Sequence, residues 1–165
     1  MELQHLNDLY IEQLKDLYSA EDQLCKALPE LIEAVSNNTL RETLEQHFQQ
    51  TVTQLDRLRI VLDWLEQTPD RHECKGMKGL IQETRDLLED HEDADPDVLD
   101  AGIIAAAQRI EHYEIAGYGT VSTYAKMLGE REAAQTLERI LNEETVADAK
   151  LTQLAERVVN VRAMG

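Results

Sequence analysis

Apolar residues recur along most of the chain at alternating steps of three and four positions, the spacing that keeps one face of an α-helix turned toward a core. The few Pro and Gly residues divide this pattern into long and short segments. The long segments run from about Leu6 to Val35, Leu40 to Glu66, Val98 to Leu128 and Glu130 to Val159, and a short one runs from about Met77 to Leu88. The pattern therefore predicts an all-α protein.

The links between the segments predict how the helices are arranged. Residues 36–39 separate the first two long segments, where Asn38 or Thr39 is expected to cap the second helix, and Gly129 separates the last two. Such short links favour antiparallel neighbours, and the short segment suits a crossover. We predict a single domain, residues 1–165, that forms an antiparallel four-helix bundle with a short crossover helix between helices 2 and 3.

The stretch that precedes the third long helix is rich in acidic residues. It is expected to be a solvated loop, because it lacks the oxygen spacing of a calcium-binding EF-hand loop. Asp95 and Pro96 at its end are typical of the first residues of a helix. The third helix is therefore expected to begin close to these two residues.

Carboxylates interrupt the apolar stripe in three of the four long helices. Glu21 interrupts the stripe of the first helix, which otherwise consists of Tyr10, Leu14, Leu17, Leu24, Leu28, Leu31 and Val35. Glu111 and Glu114 take successive stripe positions in the third helix. Glu144 and Asp148 do the same in the fourth. Since the midpoints of antiparallel helices meet, the pattern predicts one layer of acids inside the bundle.

The predicted stripe of the second helix contains no acid. It consists of Leu44, Phe48, Thr51, Leu55, Leu58, Leu62 and Leu65. Several ionised acids in one core layer would each cost several kcal/mol, against a stability of about 5–15 kcal/mol for a whole domain. A pair of metal cations would neutralise the layer, and oxygen ligands suit iron or manganese. Protonation of the acids at a raised pKa is the alternative.

The charge and composition of the chain exclude several classes of partner. The sequence has 33 acidic and 16 basic residues and a formal net charge of -17, which repels nucleic acids and anionic membranes. Its longest uncharged apolar stretch, around Gly102 to Ala107, is far shorter than the roughly 20 residues of a membrane-spanning helix. Cys25 and Cys74 suggest neither a disulfide framework nor a zinc site. We therefore expect a cytoplasmic protein.

Three segments of the chain resemble the bacterial YciE/YciF family. They are residues 18–24, 107–120 and 141–151, and the sequence Glu-His-Tyr-Glu at 111–114 is their most specific part. The likeness covers nearly the whole chain. It implies a ferritin-like, dimer-forming bundle associated with bacterial stress responses, with a metal layer similar to that of rubrerythrin and a biochemical activity that is undefined for the family.

The resemblance also implies roles for the interior acids. Glu21 would be the metal ligand of the first helix, and Glu111 and Glu114 would be the pair from the third. Glu144 would be a bridging or terminal ligand. Asp148 lies near the position where ferritin-like proteins often carry a histidine.

The second helix departs from the ferritin-like scheme, in which two helices each supply a Glu followed by a His one turn later. It carries Gln50 and Gln54 where family members often have acids or a histidine. An amide oxygen is a weaker ligand for a hard cation, and His47 is an alternative donor one turn earlier. The predicted ligands of two metal ions are Glu21, Gln50, Gln54, Glu111, Glu114, Glu144 and Asp148, with iron as the expected metal and manganese as an alternative.

Two functions from different classes fit these features. The first is a di-metal carboxylate protein of the bacterial stress response that reacts with oxygen or peroxide. The second is a non-enzymatic, dimeric stress protein that binds a partner and retains a degenerate or weak metal site, as the neutral Gln50 and Gln54 suggest. Iron storage in a hollow shell ranks last, because the resemblance implies a dimer-forming family. The sequence assigns no catalytic residue and no redox partner.

Overall fold

Long α-helices make up most of the computed structural model, which describes residues 3–69 and 72–165. The helices are α1 (Leu6–Ala34), α2 (Asn38–Trp64), α3 (Lys75–Asp90), α4 (Pro96–Leu128), α5 (Arg131–Leu154) and α6 (Asn160–Ala163), with a π-helical turn at Ala155–Val159 between α5 and α6. The described residues include no strand. The structure therefore confirms the predicted all-α fold.

The four long helices pack as a bundle. α1 packs against α2 and α4, and α5 packs against α4 and α2, so that each long helix has two long neighbours. The shorter α3 connects α2 to α4 and packs on α1 and α4, as expected of the crossover helix. In the part of the chain that the structure describes, no helix is long and apolar enough to cross a lipid bilayer.

The link between α1 and α2 is capped and anchored by polar side chains. Asn37, rather than the predicted Asn38 or Thr39, caps α2, because its side chain accepts a hydrogen bond from the Leu40 backbone N–H at 3.1 Å. The buried carboxylate of Asp100 on α4 accepts a hydrogen bond from the Asn37 backbone N–H at 2.7 Å. This contact fixes the link against α4.

The ends of α4 follow from its sequence. Asp95 caps the helix as predicted, since its carboxylate accepts hydrogen bonds from the backbone N–H groups of Asp97 at 3.0 Å and Val98 at 3.4 Å. Pro96 is the first helical residue, where its missing N–H costs nothing. Gly129 ends the helix with a φ of 84°, a left-handed conformation that glycine adopts without steric strain.

Two apolar clusters fill the bundle, one on each side of a polar middle layer. In α1 the change comes at Glu21, because Leu17 belongs to one cluster and Leu24 to the other. In α4 it comes between Ile110 and Tyr118, which again belong to different clusters. The polar layer therefore crosses the whole bundle at about mid-height.

The inward-facing stripes of α2 and α5 differ in register from the prediction. In α2, Phe48 and Leu55 are half-buried, and the buried positions are taken by His47, Thr51 and Gln54. At the centre of this helix the buried positions, spaced by steps of three and four, are polar. A stripe traced through apolar residues alone therefore selects Phe48 and Leu55, which lie beside the buried positions.

In α5 the residue after Glu144 on the buried face is Ala147, and Asp148 is half-buried beside it. A step of three leads from Glu144 to Ala147, whereas the prediction used a step of four. Beyond α5, the π-helical turn includes one more residue than an α-helical turn and places Val159 in the core.

Candidate metal centre

Four carboxyl groups and one imidazole meet in the polar layer, and we call these five residues the carboxylate–histidine cluster. They come from all four long helices and are Glu21 of α1, His47 of α2, Glu111 and Glu114 of α4, and Glu144 of α5. His47 is 5% exposed and each of the four glutamates is at most 1% exposed. The bundle therefore shields the whole cluster from bulk water.

Four members of the cluster can contribute to one metal-binding group. His47, Glu111, Glu114 and Glu144 each offer a ligand atom, and these atoms all lie within 4.8 Å of one another. His47 Nε2 lies 2.9 Å from Glu111 Oε1, but without the alignment of a hydrogen bond. A nitrogen and several carboxylate oxygens at such separations form a donor set that iron, manganese or zinc accepts.

Several of these atoms are buried without a hydrogen-bond partner. They are His47 Nδ1, Glu111 Oε2, both carboxyl oxygens of Glu114, and Glu144 Oε2. Buried polar atoms in native proteins normally have a partner, because an unsatisfied one costs about 1–3 kcal/mol. Metal coordination would satisfy these atoms, so the residues present fit a bound cation.

Glu21 adjoins the four-residue group from α1. The hydroxyl of Tyr118 donates a hydrogen bond to Glu21 Oε1, while Glu21 Oε2 is buried without a partner. Burial and the nearby carboxylate of Glu144 raise the pKa of Glu21 to about 8. Its electrostatic coupling to Glu144 places Glu21 in the same charged layer.

Burial raises the pKa values of the other glutamates as well. It raises the pKa of Glu111 to about 7, and it raises the pKa values of Glu114 and Glu144 well above the ordinary range. After burial, the largest cause for Glu114 is repulsion from the carboxylate of Glu21, and for Glu144 it is contact with Glu111. The cluster therefore binds protons at neutral pH unless cations replace them.

Gln54 holds Glu144 in place through a network that reaches the protein surface. Its Nε2 donates hydrogen bonds to Glu144 Oε1 and, at 3.1 Å, to Glu143 Oε2. Arg57 Nη1 lies 2.8 Å from both carboxyl oxygens of Glu143. Gln54 Oε1 is buried without a partner. The amide of Gln54 therefore turns its nitrogen toward Glu144 and keeps one free oxygen.

The structure brings together most of the residues that the sequence indicated. Glu21, Glu111, Glu114, Glu144 and Gln54 all lie buried in the polar layer. Their convergence agrees with the expected layer of acids at the middle of the bundle.

Asp148 and Gln50, also predicted as ligands, are half-buried, whereas the members of the four-residue group are buried. Asp148 Oδ1 accepts a hydrogen bond from Gln108 at 3.0 Å and lies 3.4 Å from the Nδ1 atom of the exposed His112. Gln50 lines a cavity between α2 and α5. Asp148 contributes no atom to the group of closely spaced donors.

Sequence reasoning gave His47 only as an alternative donor and missed Arg57 and Glu143. The spacing of His47, Thr51 and Gln54 contains the signal for His47, because steps of four and three place these residues on one helical face. The contact between Arg57 and Glu143 joins α2 to α5 across a large separation along the chain, so no local pattern indicates it.

Comparisons with known proteins assign the chain to a family. The family described as domain of unknown function DUF892 matches residues 5–164. Protein YciF of Escherichia coli K12 is 42% identical over 164 residues, covering 99% of this chain and 98% of YciF. A crystal structure of the E. coli stress protein YciF matches with a TM-score of 0.90, at 42% identity, over 96% of this chain and 99% of that chain.

Two further solved structures are similar. YcfI from Rhodopseudomonas palustris matches with a TM-score of 0.87 and 42% identity, over 92% of this chain and 95% of that chain. A protein from Xanthomonas campestris matches with a TM-score of 0.77 and 20% identity, over 97% of both chains, which shows a shared fold. The bundle, its motifs and these matches agree, and the chain belongs to the DUF892 family as a homologue of YciF.

Proposed function

We propose that this protein is a di-metal carboxylate protein whose carboxylate–histidine cluster holds two divalent cations, with iron as the expected metal. One observation carries the proposal: five ionisable side chains from four helices converge in a buried layer in which several ligand atoms have no other partner. Four carboxylates balance the charge of two divalent cations. A single divalent cation would leave two carboxyl groups that need protons to become neutral.

The residues of the cluster would act together as ligands of the two metal ions. Glu111, Glu114, Glu144 and His47 offer the closely spaced donor atoms, and Glu21 adds a carboxylate from α1. Around them, the hydrogen bonds from Tyr118 to Glu21 and from Gln54 to Glu144 restrict the orientation of both carboxylates. Bound ferrous ions would supply electrons for the reduction of dioxygen or peroxide.

The biological setting of the proposal comes from the family. The E. coli relative is described as a stress protein, so we propose a role in the bacterial stress response in the cytoplasm. The resemblance to a dimer-forming family supports a homodimer. Sedimentation equilibrium of the purified chain should give twice the mass of 18.8 kDa, and a monomeric mass would contradict the dimer.

Metal analysis of the purified protein tests the proposal directly. After incubation with ferrous iron under anaerobic conditions and removal of unbound metal, the wild type should retain about two ions per chain. A double variant with Glu114→Gln and Glu144→Gln should retain far less, because it keeps the side-chain volumes but removes two charged ligands. A variant with Glu83→Gln and Glu92→Gln, both at exposed positions, is the control for the change in net charge.

The second candidate function is a non-enzymatic, dimeric interaction protein with a degenerate or weak metal site, and the hydrogen bonds to the cluster favour it. Tyr118 and Gln54 already donate to Glu21 and Glu144, and the raised pKa values of Glu111 and Glu114 would let protons neutralise these two remaining acids. Equally low iron content in the wild type and the double variant would support this candidate. If iron is retained, an oxygen electrode then shows whether the loaded protein consumes dioxygen.

A further inference from the structure

We propose that metal ions reach the cluster through the seam between α2 and α5, along a short path lined by His47, Gln50 and Ala147. The inference deepens the proposed function and rests on it. The glutamates of the cluster are at most 1% exposed, so a cation must pass between helices to reach them. His47, at 5%, is the most exposed member of the cluster, and it lies on the α2 side.

A cavity at the α2–α5 seam leads to His47. Its volume is about 40 Å³, and its walls include Thr43, Gln46, His47 and Gln50 of α2 and Ala147 and Lys150 of α5. A water molecule needs roughly 10–15 Å³ of such volume, so the cavity has room for a cation that keeps a few of its water ligands. His47 belongs both to this cavity and to the metal-binding group.

The side chain of His47 is suited to receive a cation from the cavity. It is only 5% exposed, and its Nδ1 atom has no hydrogen-bond partner. Its Nε2 atom lies 2.9 Å from Glu111 Oε1, which connects the cavity wall to the carboxylates. An imidazole with unpaired nitrogens at the inner end of a cavity is a donor for a metal ion.

The cavity wall carries polar side chains as well as the apolar Leu44, Val146 and Leu151. The half-buried Thr43 and Gln50 and the exposed Gln46 offer hydroxyl and amide oxygens that can replace the water ligands of a cation in steps. This position gives Gln50 a role in metal transfer. The exposed Lys150 adds a positive charge at the rim, which slows the approach of cations.

Three larger cavities do not lead to the cluster. One of about 410 Å³ lies beside α1 and α3, one of about 550 Å³ lies between α3 and α4, and one of about 440 Å³ lies along α2 beside Gln46 and Phe48. No residue of the cluster lines any of them. The volume of a cavity therefore does not identify the path. The path is identified by His47, which both lines the α2–α5 cavity and belongs to the cluster.

The first test narrows the path without changing a ligand. Ala147→Leu adds three carbon atoms to the cavity wall, and it should slow both the association and the dissociation of cobalt(II) by about tenfold, at an unchanged number of ions bound. Stopped-flow absorbance of cobalt(II) gives both rates. Ala106→Leu is the matched control, since Ala106 is similarly buried but lines the cavity between α3 and α4.

The second test changes the charge at the rim and leaves the core unaltered. Lys150→Glu should speed cobalt(II) association by about tenfold at low ionic strength, and added salt should remove most of the gain. Arg109→Glu makes the same change in net charge at the cavity between α3 and α4, and Arg109 is also exposed. It should change the rate much less.

The results separate failure of the path from failure of the metal site. Normal cobalt(II) binding with equal rates in wild type and Ala147→Leu, or equal acceleration by Lys150→Glu and Arg109→Glu, would overturn the path and leave the proposed function intact. A wild type that binds no cobalt(II) at equilibrium would overturn the proposed function, and the path with it. If Ala147→Leu fails to fold, the pair of charge variants still decides.

Discussion

Glu114 receives the least support from the side chains around it. Each of the other three glutamates of the cluster has a hydrogen-bond donor or an imidazole beside it, whereas both carboxyl oxygens of Glu114 are buried without a partner. Burial and the carboxylates of the other glutamates raise its pKa well above the usual value. Without metal, this side chain therefore lowers the stability of the folded protein at neutral pH.

Replacement of Glu114 by glutamine should change stability in opposite directions with and without metal. In the presence of a chelator at pH 8, Glu114→Gln should raise the free energy of unfolding by about 1–3 kcal/mol. In the wild type, ionisation of Glu114 favours the unfolded state, where the carboxylate is in water, and glutamine removes this advantage of the unfolded state. With saturating metal, the variant should be less stable than wild type. Urea denaturation under both conditions measures the two values. A variant that is less stable than wild type under both conditions would contradict a metal-dependent role.

At the scale of helices, the sequence predicted α1 well because its stripe is almost entirely apolar. Every stripe position of α1 from Tyr10 to Val35 is buried, and Glu21 is buried among them. The buried face of α2 was harder to predict, since the polar residues His47 and Gln54 occupy it at the centre of the helix. Polar residues weaken the periodic signal at the height of the carboxylate–histidine cluster. The position of the candidate site at the middle of the bundle could therefore be predicted from the sequence, whereas the burial of His47 on α2 could not.

The contacts between helices explain the remaining differences. The hydrogen bonds of Gln54 with Glu143 and Glu144 join residues that are 89 and 90 positions apart in the sequence. Spacing along one helix indicates the direction of a side chain, but it does not indicate which atoms meet on the neighbouring helix. For this reason the sequence indicated Gln54 as a ligand but not its bond to Glu144.

The start of α3 is attached to the bundle by a second polar network. Tyr113 of α4 donates a hydrogen bond to Asp16 Oδ2 of α1 at 2.8 Å, and Cys74 Sγ lies 3.0 Å from the Tyr113 hydroxyl. The ring of Tyr113 packs so closely on Gly76 that a Cβ atom there would lie 2.5 Å from a ring carbon. Gly76 is therefore required for this packing.

Alanine at two glycine positions of α3 should have opposite effects on stability. Gly76→Ala should lower the free energy of unfolding by about 1–3 kcal/mol, because the new methyl group displaces the Tyr113 ring from its hydrogen bonds. Gly79→Ala should raise it by about 0.5–1 kcal/mol, since the position is exposed and nothing lies within 4 Å of the added Cβ. Thermal unfolding followed by circular dichroism compares them. Equal effects would contradict the tight contact with Tyr113.

At the scale of the whole molecule, the cluster links stability to pH. The pKa of Glu21 is raised to about 8 and that of Glu111 to about 7, whereas an unfolded glutamate titrates near pH 4.3. Between these values the folded chain binds more protons than the unfolded chain. Stability from these groups is therefore complete below about pH 4.3 and is lost as the pH rises toward 8.

The metal-free protein should accordingly lose thermal stability between pH 5.5 and pH 8.5, and the metal-loaded protein should lose much less. The double variant with Glu114→Gln and Glu144→Gln, with chelator, should show a flatter dependence than wild type. The surface variant with Glu83→Gln and Glu92→Gln controls for general repulsion in a chain of net charge -17. Identical profiles for the two double variants would contradict a contribution from the buried carboxylates.

The polar layer divides the hydrophobic interior into two separate clusters, one that includes Leu24 and one that includes Leu17. Substitutions far apart, with no shared neighbours, usually affect stability independently. Either end of the bundle can therefore accept exchanges of similar volume, such as leucine for methionine, with little effect on the opposite end. We therefore expect homologues to differ more freely within the two apolar clusters than in the polar layer between them.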